Sequence, residues 1–127
     1  MLTAMSLMKQ DLAKVAHSAT VLEAAKMMRE RKIGSVFIEQ NARIVGIVTE
    51  ADIVRRAVGV GHMPGFIPVS TIMSSPVIGI DGKRPITEAA DLMERSQTRH
   101  LAVLQSGDIV GVLSVRDLLH PVSIDEF

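Results

Sequence analysis

Between residues 20 and 50 the apolar positions change their period. Val21, Ala24, Ala25 and Met28 fall at i, i+3, i+4 and i+7, which predicts a helix with one buried face. Two β-branched runs follow, Ser35 to Ile38 and Ile44 to Val48, and the polar stretch Glu39-Gln40-Asn41-Ala42-Arg43 between them reads as a hairpin loop. The same order returns downstream. Ile86, Ala89, Ala90 and Met93 repeat the helical stripe, and Leu101 to Leu104 and Ile109 to Leu113 repeat the hairpin across Gln105-Ser106-Gly107-Asp108. A short strand is expected before each helix, around Leu12 to Val15 and Val77 to Ile80, so each copy reads strand, helix, strand, strand, helix. Thr20 with Glu23 three residues later predicts a capping box, and Pro85 at the matching place suits a first helical turn.

The offset is constant: 88 − 23, 111 − 46 and 117 − 52 all give 65. Two copies in one small domain imply a pseudo-twofold arrangement in which any polar feature present once per copy becomes a facing pair. Residues 1–58 read as the first copy, 59–68 as a linker loop dense in Gly and Pro, and 69–127 as the second copy. The linker is expected to act as a tether, with Met63 or Phe66 available to cover a ligand or touch a partner. In the second copy His120-Pro121 should end the last helix, leaving the tail to Phe127 as an interface arm or frayed end. Right-handed crossovers place the helices on one face of each sheet.

Composition narrows the function. With 47% apolar and 22% charged residues the chain is globular, and no apolar run approaches a membrane span. Zero net charge removes long-range attraction to nucleic acid or acidic membranes, and the lack of Trp and Tyr removes the stacking platforms of single-strand binders. Neither is an expected partner. Zero cysteines exclude disulfides, thiolate catalysis and Cys-based zinc sites. No charged-then-apolar leader is visible, so the expected compartment is the cytoplasm. His17, His62, His100 and His120 lack metal-ligand spacing, and there is neither a Gly-x-Ser-x-Gly elbow nor a phosphate-binding Gly-x4-Gly-Lys loop. No metal site and no intrinsic enzyme activity are expected. Arg29-Glu30-Arg31-Lys32 reads as a solvated helix end.

The residues that could carry chemistry close each copy: Gly46-Ile47-Val48-Thr49-Glu50-Ala51-Asp52 and Gly111-Val112-Leu113-Ser114-Val115-Arg116-Asp117. A hydroxyl followed three residues later by Asp at a strand-to-helix turn is an N-cap. The other reading is that backbone donors at the helix start attract an anion while the carboxylate grips a cis-diol, and ribose phosphate offers both groups.

This pair of Gly-φ-φ-Thr/Ser-x-x-Asp turns, each preceded by a segment like Val69-Ser70-Thr71-Ile72-Met73, resembles the cystathionine-β-synthase-type (CBS) domain pair, or Bateman module. Met5-Ser6-Leu7-Met8 keeps the same register, since 73 − 8 is again 65. The resemblance covers nearly the whole chain. It implies an α/β fold of tandem βαββα repeats packed sheet to sheet about a pseudo-twofold axis. Implied too are homodimers, and clefts between repeats that bind an adenosine-containing ligand, AMP, ADP or ATP, as a regulatory ligand with no cofactor required. Asp52 and Asp117 would then hold ribose hydroxyls, and Thr49 and Ser114 ribose or phosphate. The base would lie against Ile72, Ser74, Pro76, Val77 and Ala102 in one cleft and Lys14, Val15, Ser35 and Val36 in the other. Arg99 and His100 stand where relatives place phosphate ligands; the first copy has Gly34-Ser35 there, with Lys32 the nearest cation, so unequal sites are expected. The implied role is an energy-sensing regulator of an unknown target protein. The alternative is a ligand-free scaffolding subunit in which Asp52 and Asp117 act only as helix caps.

Overall fold

The computed structural model describes residues 1–119. The expected end of the last helix at His120-Pro121 and the tail to Phe127 lie outside the described residues. Ten regular elements are set along the rest: α1 Ala4–Leu7, β1 Lys14–Ala16, α2 Val21–Arg31, β2 Ser35–Gln40, β3 Arg43–Thr49, α3 Glu50–Asp52, β4 Gly79–Asp81, α4 Ile86–Ser96, β5 His100–Gln105 and β6 Asp108–Ser114. Residues 115–119 continue from β6 as helix. The chain divides into two compact units, Ala13–Val77 and Met1–Leu12 with Ile78–Phe127.

Each unit contains one three-stranded mixed sheet, ordered β1-β2-β3 in the first and β4-β5-β6 in the second, which is the α/β class expected. The first strand pairs in parallel with the second because a helix separates them, and the second pairs antiparallel with the third through a hairpin. Both hairpins are tighter than their polar connectors suggested. Register runs to Gln40↔Arg43 and Gln105↔Asp108, leaving two-residue turns. Asn41 and Ala42 both have positive φ, as do Ser106 and Gly107, the twist that a two-residue hairpin demands. That geometry overrides the ordinary preference of Ala42.

The core of the Ala13–Val77 unit is built from the predicted stripe of α2, namely Val21, Ala24 and Met28, packed on Val15, Val36, Ile38 and Val48 of the sheet. In the second unit Ala89 and Met93 of α4 pack with Ile80, Leu101, Val103 and Leu113. Each fully buried side chain of this size contributes about 1.5–3 kcal/mol relative to exposure. The segment that leads into each copy in sequence packs into the unit made by the other copy's strands: Val69 and Ile72 belong to the first core and Ala4 to the second. Val69 and Ala4 are repeat equivalents, and both are anchored by backbone bonds, Val69 N–H to Ala19 O at 2.8 Å and Ala4 N–H to Arg84 O at 2.9 Å.

At the N-terminus of α2 the Thr20 half of the expected capping box forms, its hydroxyl accepting from Glu23 N–H at 3.1 Å. Pro85 is the N-cap of α4, one residue before the helical turn predicted for it, with φ −68° and ψ 153°. The linker is pinned at its end, where Val21 N–H bonds Ile67 O at 3.0 Å, while Met63 and Phe66 remain 64% and 80% exposed. After β3 the first copy departs from its sister. α3 lasts three residues and passes into a wider π-type turn over Ile53–Ala57, then a tight turn over Val58–Val60.

Candidate functional site

Both strand-to-helix turns fold into the same hydrogen-bonded cycle. Thr49 ends β3 in extended conformation and caps α3. Its backbone N–H donates to Asp52 Oδ2 at 2.9 Å, its hydroxyl donates to the same oxygen at 3.1 Å, and Asp52 N–H returns a bond to Thr49 Oγ1 at 3.3 Å. In the sister turn Ser114 and Asp117 make the same three bonds at 2.8, 3.1 and 3.3 Å. Residue type and spacing dictate this: a hydroxyl at the N-cap and a short acid at the third helical position satisfy each other's backbone donors.

The cycle separates the two carboxylate oxygens. Oδ2 accepts two bonds from the cap residue, which fills its lone pairs, whereas Oδ1 points to a cation. For Asp52 that cation is Arg56, one turn further along, with Nη1 at 3.7 Å from Oδ1; for Asp117 it is Lys9, with Nζ at 3.8 Å. Asp52 and Asp117 side chains are only 14% and 12% exposed, against 48% for Arg56 and 61% for Lys9, so the acids are held and the cations are mobile arms. Such half-exposed pairs add little stability, about 0.2–1 kcal/mol at most.

The expected anion-attracting helix starts are largely used up. Glu50 N–H bonds Gly34 O at 3.0 Å and Val115 N–H bonds Arg99 O at 2.9 Å, while the third N–H goes to the cap hydroxyl. The hydroxyls of Thr49 and Ser114, having given their proton to Oδ2, offer a ligand a lone pair. That suits a sugar hydroxyl, and a phosphate oxygen must look to side chains.

Around each turn the structure sorts the remaining candidates. Ser35 is the cross-strand partner of Thr49, and His100 is that of Ser114. Arg99 is exposed, and its carbonyl lies on the helix start. Ser74 joins the turn of the first unit by a two-bond bridge to Ile47, at 2.9 and 3.1 Å. Lys32 is exposed at the left-handed C-cap of α2. Lys14 is drawn to the far end of β2 by Glu39 at 3.6 Å. Val15, Val36 and Ile72 belong to the core, and Ala102 is 1% exposed between β4 and β6, so a ligand would meet these four as backbone. Pro76 is exposed and Val77 half-buried.

Two members were missed in the sequence. Arg56 carries the signal of i, i+4 spacing from Asp52. Lys9 carries the repeat itself, since 74 − 9 is 65: it is the sister of Ser74 and bridges Val112 on β6 by the same two backbone bonds, at 2.9 and 3.0 Å. Gly46 and Gly111 permit these bridges. A Cβ on either would strike the sulfur of Met73 or Met8 and crowd the carbonyl of Ser74 or Lys9.

With this geometry in hand, comparison with known proteins places the chain. The CBS domain model matches twice, over residues 4–59 and 69–123, and the chain belongs to the CBS domain family as a tandem pair. An uncharacterized 17.7 kDa protein of Acidianus ambivalens is 39% identical over 103 residues, covering 80% of this chain and 61% of that protein. The chain thus spans less than two thirds of that relative's length. A crystal structure of an uncharacterized conserved protein from Pyrococcus horikoshii matches with TM-score 0.89 and 30% identity, covering 95% of this chain and 92% of the other. The hexameric CBS-CP12 protein from bloom-forming cyanobacteria matches with TM-score 0.88 and 31% identity, covering 99% and 75%. No helix among the described residues is long and apolar enough to cross a membrane.

Proposed function

We propose that this CBS pair is a non-catalytic regulatory module that binds an adenosine-containing ligand, AMP, ADP or ATP, at its strand-to-helix turns and acts on a partner protein as a homodimer. One observation carries the reading. In both turns the cap consumes Oδ2 and leaves Oδ1 as a fixed, nearly buried acceptor with two lone pairs, which is what two vicinal sugar hydroxyls require. Arg56 and Lys9 would swing from Oδ1 toward phosphate when the sugar arrives, because each is mostly exposed and loosely held at 3.7 and 3.8 Å. In the second unit Arg99, His100 and Lys9 gather around one turn, so phosphorylated ligands should prefer it. The hexameric state of the cyanobacterial relative supports self-association in this family. Regulation further requires the ligand to favour one state of the dimer over another.

A scaffolding subunit without ligand is the second reading, favoured by the same cycle, since cap and ion pair together already give each Asp a local task. A thermal-shift panel of AMP, ADP, ATP and adenosine separates the two. At about a hundredfold over Kd a ligand stabilises by about 2.7 kcal/mol. No shift with any of the four rejects the sensor and leaves the scaffold.

A further inference from the structure

The buried stripes of α2 and α4 repeat, but the faces opposite them invert. Residues 22, 26, 29 and 30 of α2 and 87, 91, 94 and 95 of α4 are all exposed and share one helix face at i, i+4, i+7 and i+8. The offset of 65 aligns Lys26 with Asp91, Arg29 with Glu94 and Glu30 with Arg95, so the sign reverses at each charged position of the face. The inversion extends to whole units. Ala13–Val77 carries eight basic and five acidic residues and the remainder six and nine, so the net charge of zero is the sum of +3 and −3. Among the described ion pairs none engages these six helix residues.

We propose that the two faces form a self-association surface whose occupant is a second copy of this chain in antiparallel order, α2 of each protomer meeting α4 of its partner. In parallel order α2 would meet α2 and α4 would meet α4, setting net positive on positive and net negative on negative. Antiparallel order sets opposite charges at both contacts, and a twofold axis makes the two contacts identical. Exposed charges of this kind select between orders more than they supply affinity. Leu22, 40% exposed at the start of the α2 face, adds apolar area to the contact. The inference deepens the homodimer proposed above and is independent of its ligand.

Sedimentation equilibrium without nucleotide, in about 50 mM salt so that screening stays weak, tests it on the full chain. Lys26→Glu with Arg29→Glu should weaken the wild-type dimer at least about tenfold, and so should Asp91→Lys with Glu94→Lys alone. Combining all four substitutions should bring the dissociation constant back within about threefold of wild type. All four positions are exposed, and circular dichroism melts identify any variant that fails to fold. In parallel order each reversal leaves like charges facing like, so an unchanged dissociation constant for both two-site variants overturns the order while leaving the dimer standing. A fourfold variant as weak as the twofold ones also overturns it. A monomeric wild type overturns the order and the dimer together.

Discussion

The two strand-to-helix turns agree in every internal bond and differ in nearly everything around them. Asp52 finds its cation on its own helix, so Arg56 travels with the turn. Asp117 finds Lys9 on a segment far away in sequence, held against β6 by a two-bond bridge. At the repeat-equivalent place the first unit has Ser74, bridged in the same way and uncharged. Where the second unit has Arg99-His100 the first has Gly34-Ser35. The cap is common because local backbone donors demand it in both copies. Discrimination between ligands must therefore reside in the unequal cations, with phosphate recognition concentrated in the second unit.

Removing the space that lets each leading segment reach its turn should have the largest effect. Gly111→Val and Gly46→Val each force the bridge off the strand, and we expect losses of about 1–3 kcal/mol in chemical denaturation. Only Gly111→Val should also lower affinity for phosphorylated ligands, since it displaces Lys9. Truncating the caps comes next. Asp52→Ala and Asp117→Ala should cost about 1–2 kcal/mol each, nearly equally, because the three cap bonds are the same in both. A difference between them well outside error would mean the turns are not equivalent in the folded protein. For Arg99→Ala we expect about a tenfold loss of affinity for AMP and little for adenosine, read by calorimetry. Equal losses would remove the phosphate role. Smallest is the effect of Lys9→Ser on stability, under about 1 kcal/mol for so exposed a pair. Joined with Ser74→Lys it should shift phosphate preference toward the first unit, and a thermal-shift comparison of AMP with adenosine checks that transfer.

Much of the α/β architecture was legible because burial enforces period. The 3.6-residue stripes of α2 and α4 and the β-branched runs of both sheets lie where the apolar pattern put them, with strand ends extended by one or two residues. The two-residue hairpins were hidden behind polar residues, since Gln40, Arg43, Gln105 and Asp108 pair at strand ends whose side chains face water. The wide turn over Ile53–Ala57 had no signal at all in the apolar pattern. Thr49, Asp52, Ser114 and Asp117 were readable as a constellation through the repeat, but the division of labour between Oδ1 and Oδ2 is a matter of hydrogen-bond geometry that spacing does not encode. Lys9 was readable and overlooked: Ser74 was named and its sister 65 residues earlier was not. Lys14 shows the opposite failure, since Glu39 claims it by a contact across two strands that are distant in sequence.

The central claim is that Oδ1 of each capped Asp receives sugar hydroxyls while Oδ2 holds the turn. Calorimetric titration of AMP and 2′-deoxy-AMP into wild type and Asp117→Asn tests it as a double-mutant cycle, because Asn retains an acceptor for the cap and places an amide where Oδ1 stood. We expect the deoxy ligand to bind wild type at least about tenfold more weakly than AMP at the stronger site, Asp117→Asn to lose about as much with AMP, and the variant to bind both ligands alike. Equal affinity of wild type for both ligands, or losses that simply add in the variant, would contradict it.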